Sequence, residues 1–173
     1  MHKIFIFISL SLFLLIACQP TPASETTQSA SEIQATIDSL LDDWHRAAAE
    51  GNYEAYFGAM DSSSIFIGTD ATENWSKQDF SDFAKPYFDK GRAWDFTPFD
   101  RNIYLSEVQN VVWFDELLRT WMGTCIGSGV FERIDGNWSM KHYVLSVKVP
   151  NESVQAVIAA KQVQDSLFLI NAY

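Results

Sequence analysis

The stretch Cys125–Val149, CIGSGVFERIDGNWSMKHYVLSVKV, constrains the fold more than any other part of the 173-residue chain. It reads as two antiparallel strands joined at Asp135-Gly136, a pair that readily takes the positive φ of a tight hairpin turn. Beyond the turn, Trp138, Met140, His142 and Val144 alternate with Ser139, Lys141, Tyr143 and Leu145, which places the two sets on opposite faces. Neither set is cleanly polar. One face must cover a core, and the other must be at least partly sheltered.

The N-terminus sets the setting. Residues 1–17 carry a short basic start and an apolar run too short for a spanning helix, which predicts a secretory signal. The run ends in Leu15-Ile16-Ala17-Cys18, which resembles the lipobox of bacterial lipoproteins. That resemblance implies cleavage before Cys18 and acylation of Cys18. Gln19, where an aspartate would favour inner-membrane retention, implies the periplasmic face of the outer membrane. Each buried methylene contributes roughly 0.8 kcal/mol, so two or three acyl chains would hold the protein on the membrane almost permanently. Residues 18–31, rich in Thr, Ser, Pro and Gln, are then the lipidated cysteine and a flexible tether. Residues 32–173 have the size of one domain with a single core. The formal net charge of −10 argues against nucleic acid or anionic headgroups as direct partners. Cys125 is the one other cysteine; it has no disulfide partner in a mature chain and reads as a small core residue.

The pattern along the domain is helices first and sheet afterwards. Ser31 with Gln34 reads as a capping box, followed by Ile33, Ile37, Leu40, Leu41, Trp44 and Ala48 at helical spacing and a stop at Gly51. Asn52 caps a short helix with Tyr53, Tyr56, Phe57 and Met60 on its stripe. Ile65–Ile67 is a short strand before a loop, Gly68–Asn74. Ser76 caps a third helix whose inner face is Phe80, Phe83, Ala84, Tyr87 and Phe88, with a kink expected at Pro86. Four long strands follow: Trp94–Ser106, Val111–Met122, Gly123–Arg133 and Asn137–Val149. Pro98 marks the first as an edge strand or a bulged one. Ser153–Leu167 is a last helix with a weak stripe. The class is α+β, with helices packed on one side of a curved antiparallel meander.

Several phrases in this order resemble the nuclear-transport-factor-2-like superfamily, in its SnoaL-like or ketosteroid-isomerase-like branch. They are Leu41-x-x-Trp44-x-x-Ala47-x-x-x-Gly51-Asn52-Tyr53, Gly68-Thr69-Asp70, Trp113-Phe114-Asp115-Glu116, and Asp135-Gly136-x-Trp138-x-Met140-x-His142-x-x-x-Ser146. The resemblance covers about residues 33–151. It implies a cone-shaped fold, with a curved antiparallel sheet and three N-terminal helices around a pocket and an additional C-terminal helix. It does not carry one function, because the superfamily includes isomerases, dehydratases, cyclases, binders and adaptors. Aligned on Gly51, the general base of ketosteroid isomerases falls on Ile67 and their hydrogen-bonding tyrosine on Trp44. Ile67 cannot take a proton, and an indole N–H is a weaker donor than a phenol, so steroid isomerisation is disfavoured.

On chemistry alone, the candidates are polar residues set among aromatics. Asp115 alternates with Val111, Trp113 and Leu117, and Glu116 with Val112, Phe114 and Leu118, so one acid points into an apolar layer and needs a cation or strong donor. The Trp-Phe-Asp phrase favours Asp115 as the inward one, with Arg101 or His142 as its partner. Asp115 and His142 are the catalytic pair if the protein is an enzyme. Trp44, Ile67, Tyr87, Arg101, Trp113 and Met140 are the expected ligand-facing set, and the aromatic load suits a small-molecule pocket. His45 is read as capping the inner helix face or meeting solvent. No His-x-His or His-x-x-x-His spacing occurs, so no metal or cofactor is expected. Three readings stand: a lipid-anchored binder of a small, mostly apolar molecule; a cofactor-free isomerase, dehydratase or cyclase using an acid–histidine pair; and a non-catalytic module dimerising through the convex sheet.

Overall fold

The computed structural model describes residues 28–172. The expected signal, Cys18 and the first part of the tether lie outside the described residues. In chain order the elements are α1 (Ala30–Ala49), α2 (Tyr53–Gly58), β1 (Met60–Ile67), β2 (Asn74–Ser76), α3 (Lys77–Phe88), β3 (Thr97–Leu105), β4 (Val111–Thr120), β5 (Gly123–Ile134) and β6 (Asn137–Val147). A 3-10 turn at Asn151–Ser153 then leads into α4 (Val154–Ala172). This is the expected α+β class, with one correction. The six-stranded sheet, ordered β2-β1-β6-β5-β4-β3, is mixed, because β1 runs parallel to β6. No hairpin joins those two strands; most of the domain lies between them, which frees their relative direction.

Helix ends follow local chemistry. The capping box of α1 sits two residues before the expected one, at Ser29 and Glu32: the Ser29 hydroxyl accepts from the Glu32 N–H, and the Glu32 carboxylate accepts from the Ser29 N–H at 2.7 Å. A carboxylate is a stronger acceptor than the Gln34 amide. Gly51 ends the helix in the left-handed region, φ 67°. Asn52 and Ser76 cap α2 and α3 as read from the sequence, and Pro86 falls in the last turn of α3. Ile33, Ile37, Leu41, Trp44 and Ala48 of α1 are buried against the inner face of the sheet, where Val112, Phe114, Leu118, Phe131, Met140 and Tyr143 complete the core.

Two irregularities decide what the inner face displays. On β6, Phe131 pairs with Met140 while its neighbour Val130 pairs with His142, so Lys141 is an extra, bulged residue. Alternation flips there, and Met140 and Tyr143 both point inward while His142 points out. The bulge is held from β1: Lys141 Nζ donates to Asp61 Oδ1 at 2.7 Å, and the buried Ser64 hydroxyl donates to the Met140 carbonyl. On β3, Phe99 pairs with Leu117 and Asn102 with Asp115, so Asp100 and Arg101 together face Glu116. Asp100 takes φ 50°, and the bend turns Arg101 inward. Pro98 therefore marks both an edge strand and a bulged one.

Candidate functional site

Strand β4 is regular, and Val112, Phe114, Glu116 and Leu118 form its buried face. The inward acid is therefore Glu116, 0 % exposed, and the expectation for Asp115 is corrected. Asp115 lies on the outer face, where Asn102 Nδ2 donates to it at 3.0 Å. Phe114 and Leu118 flank Glu116 as closely as Trp113 and Leu117 flank Asp115, so apolar neighbours alone could not rank the two.

A buried carboxylate needs its oxygens satisfied. Glu116 Oε1 lies 2.6 Å from His45 Nε2, and Oε2 accepts from Arg101 Nε at 2.8 Å. Arg101 Nη1 reaches on to Asp38 Oδ1 at 2.6 Å and Asp42 Oδ1 at 2.9 Å. Asp38, Asp42 and His45 follow one another at spacings of four and three, so a single side of α1 meets the β3 bulge and the centre of β4. Burial acts to lower the Arg101 pKa, but the Glu116 charge and the hydrogen bonds to Asp38, Glu116 and Asp42 outweigh it, and the guanidinium is held charged. His45 Nδ1 has no hydrogen-bond partner among the described residues.

Tyr143 stands beside this network. Its hydroxyl is buried and has no hydrogen-bond partner among the described residues. Burial, and then the Glu116 charge, push the phenol pKa well above its ordinary value. The hydroxyl takes the place that a side chain at residue 127 would occupy: a Cβ on Gly127 would meet it at 2.2 Å and Glu116 Oε1 at 3.3 Å. A Cβ on Gly129 would meet the His142 carbonyl oxygen at 2.4 Å and the Phe114 ring at 2.9 Å. The Gly-Ser-Gly run of β5 thus strips side chains from the inner face so that larger groups of neighbouring strands can sit there.

Trp44, His45 and Tyr143 line a cavity of about 250 Å³, and Thr69 and Glu73 add further polar groups to its lining. Its walls are aromatic. Tyr56 stacks on Trp44 at 4.5 Å between centroids, and Phe66, Trp75 and Phe80 stack in series, Phe66 on Phe80 at 3.8 Å. Burial raises the Tyr56 pKa well above normal, against a lowering contact with Trp94. Phe83 and Tyr87 of α3 and Trp121 at the tip of the β4–β5 hairpin also line the cavity, and Trp121 is 84 % exposed. Such a space suits an apolar molecule whose one acceptor group reaches Tyr143.

Of the expected ligand-facing residues, Trp44 and Tyr87 line the cavity. Arg101 lies behind it, holding Glu116, and Met140 is fully buried core. Ile67 and Trp113 are outer-face residues: Ile67 pairs with Val144 and Asn74, and Trp113 stacks on Tyr104 at 5.9 Å. His142 is also on the outer face, across from Val130 and Ile65, so it is placed away from Glu116 by the β6 bulge. His45, Glu116 and Tyr143 replace Asp115 and His142 as the constellation. The α1 spacing and the alternate glycines of β5 were the signals for it.

A curved mixed sheet with helices on its inner side, closed around an aromatic cavity, defines the fold as NTF2-like. Residues 37–150 match the model of the SnoaL-like domain, and the chain belongs to that family. Solved structures agree on the fold. An NTF2-like protein of unknown function from Pseudomonas putida KT2440 superposes with a TM-score of 0.60 at 10 % identity, over 73 % of this chain and 94 % of that one. A domain of unknown function with a cystatin-like fold from Nostoc punctiforme PCC 73102 gives 0.60 at 13 % identity, over 84 % and 100 %. A putative aromatic ring hydroxylase from Novosphingobium aromaticivorans gives 0.59 at 11 % identity, over 71 % and 94 %. No curated protein matches the chain.

Proposed function

We propose that the protein binds a small, mostly apolar molecule carrying one hydrogen-bond acceptor, and does so while anchored by acylated Cys18 to the periplasmic face of the outer membrane. The observation that carries the binding reading is Tyr143, which lines the aromatic cavity and whose buried hydroxyl has no hydrogen-bond partner among the described residues. A buried donor left unsatisfied costs about 1–3 kcal/mol, which an acceptor on a bound molecule would recover. Both Glu116 oxygens are already engaged, so beside that network the cavity offers the Tyr143 phenol and the His45 imidazole. The membrane reading rests on the Leu15-Ile16-Ala17-Cys18 phrase. Among the described residues no helix is long and apolar enough to cross a membrane.

The binding test is extraction of protein purified from its own host membranes, with released molecules identified by mass spectrometry. Ala93→Phe, which puts a ring into the cavity from its lining, should lower the yield at least tenfold. An equal yield from both proteins would contradict the reading.

A second reading is favoured by the 2.6 Å His45–Glu116 contact. A carboxylate on Nε2 orients the ring and fixes the tautomer in which Nδ1 is the acceptor, which suits general acid–base work on a bound carbonyl compound. Here the proton would pass from the carbon beside the carbonyl to His45 Nδ1, with Tyr143 donating to the developing oxyanion. Hydrogen–deuterium exchange at that carbon, catalysed by the wild type and lost in His45→Ala, would separate catalysis from binding.

A further inference from the structure

Helix α4, VQAVIAAKQVQDSLFLINA, is apolar on most of its circumference, yet its main contact among the described residues is the 3-10 turn that leads into it. A helix of this composition is normally covered. Ala156, Ala160, Val163, Leu167 and Ile170 follow a 4-3-4-3 spacing and so form one seam, along which Val163 is 65 % and Ile170 74 % exposed. Its two charged residues, Lys161 and Asp165, pair with each other at 3.3 Å away from that seam. The outer face of the sheet is a second open apolar surface. Tyr104 and Trp113 stack there, each more than two-fifths exposed, and the strand register brings Leu117, Ile126 and Val130 alongside.

We propose that α4 crosses to a second copy of the chain and lies over the outer face of that copy's sheet, in a reciprocal exchange. Charge favours a second copy. The protein carries a net −10, so two copies repel except where carboxylates are few or neutralised. The α4 seam carries no carboxylate, so it adds no charge of its own to the outer face, where Asp115 and Glu132 stand near Trp113. Area agrees. Nineteen residues make a helix about 28 Å long and roughly 10 Å across, presenting on the order of 400 Å² on one side. Reciprocal exchange uses that area twice per subunit, about 800 Å², the usual size of a stable interface. Among the described residues α4, like every other helix, is not apolar enough to span a bilayer. The family match ends at residue 150, so α4 lies outside the matched domain.

The test is disulfide trapping between two differently tagged full-length copies made in the same cells, one carrying Leu167→Cys and the other Val130→Cys. Cys125 is fully buried and should not compete. The expected product is a reducible species containing both tags, absent when either cysteine is omitted. Three results would overturn the proposal: no such species, self-linkage of Leu167→Cys copies through α4 alone, or an intrachain link when both cysteines are placed in one chain. Independently, Leu167→Asp should move the detergent-extracted protein from dimer to monomer mass in sedimentation, with cavity tryptophan fluorescence unchanged. A monomeric wild type would equally overturn it.

Discussion

Glu116 Oε1 lies 2.6 Å from His45 Nε2, tying the centre of β4 to the far end of α1 through the interior of the domain. With Arg101 on the other carboxylate oxygen, Glu116 is held at 0 % exposure between a histidine and an arginine. Removing one member strands the others. Glu116→Gln should therefore cost roughly 3–5 kcal/mol, and Asp115→Asn, on the outer face, within about 0.5 kcal/mol. Urea titration of the two variants checks the ranking, and the reverse order would mean that β4 faces the other way.

Gly127 is expected to be intolerant of any side chain, because a Cβ there meets the Tyr143 hydroxyl at 2.2 Å and its Cζ at 2.9 Å. Gly127→Ala should cost about 1–3 kcal/mol. Tyr143→Phe removes the nearer atom and should restore part of that loss in the double variant. Strictly additive effects in a double-mutant cycle would rule out the contact.

Stability should fall at both ends of the pH scale, for identifiable reasons. Tyr143 and Tyr56 have phenol pKa values raised above 10.0 by burial, so their neutral forms favour the folded state. That contribution is complete below pH 10 and is lost as pH rises beyond it; Tyr143→Phe should flatten part of the alkaline limb. Asp61 is shifted the opposite way. The hydrogen bond from Lys141, and then those from Ser63, lower its pKa below 3.8, so its contribution is present above that pH and lost as pH falls further. Lys141→Met should blunt the acid limb and leave the alkaline one alone. Thermal melts across pH 2–11 would show whether each variant alters its own limb.

Acylation is testable apart from the fold. Cys18→Ser should abolish labelling by an alkynyl fatty acid and release the domain from the membrane fraction. Continued labelling of the variant would remove the lipoprotein reading and leave the cavity proposal untouched.

How far the sequence could be read depends on periodicity. Where the stripe is helical, as at Ile33, Ile37, Leu41 and Trp44, the buried residues were legible; on β4 the alternation is unbroken but both faces carry large apolar residues, and the expectation that put Asp115 and Trp113 inward is overturned. The hairpin at Asp135-Gly136 was legible, and both residues adopt positive φ, 49° and 84°. What defeated the reading were single extra residues. The Lys141 bulge moves His142 outward and Tyr143 inward, and the Asp100–Arg101 bulge turns Arg101 toward Glu116. Neither leaves a mark in the hydrophobic pattern, because one inserted residue inverts the parity of everything after it. His45 was passed over for a related reason. Its partner lies 71 residues away on a strand whose inward acid could not be chosen from its neighbours.

The cavity reading is tested most directly with two probes of the same shape, 2-acetylnaphthalene and 2-ethylnaphthalene, which differ in one carbonyl oxygen. Binding is followed by quenching of the tryptophans at the cavity, Trp44, Trp75, Trp94 and Trp121. A hydrogen bond worth about 0.5–1.5 kcal/mol should give the wild type a roughly three- to tenfold preference for the ketone. Tyr143→Phe should bind both probes alike. Equal affinity of the wild type for the two, or a ketone preference that survives Tyr143→Phe, would contradict the assignment of Tyr143 as the donor to a bound acceptor.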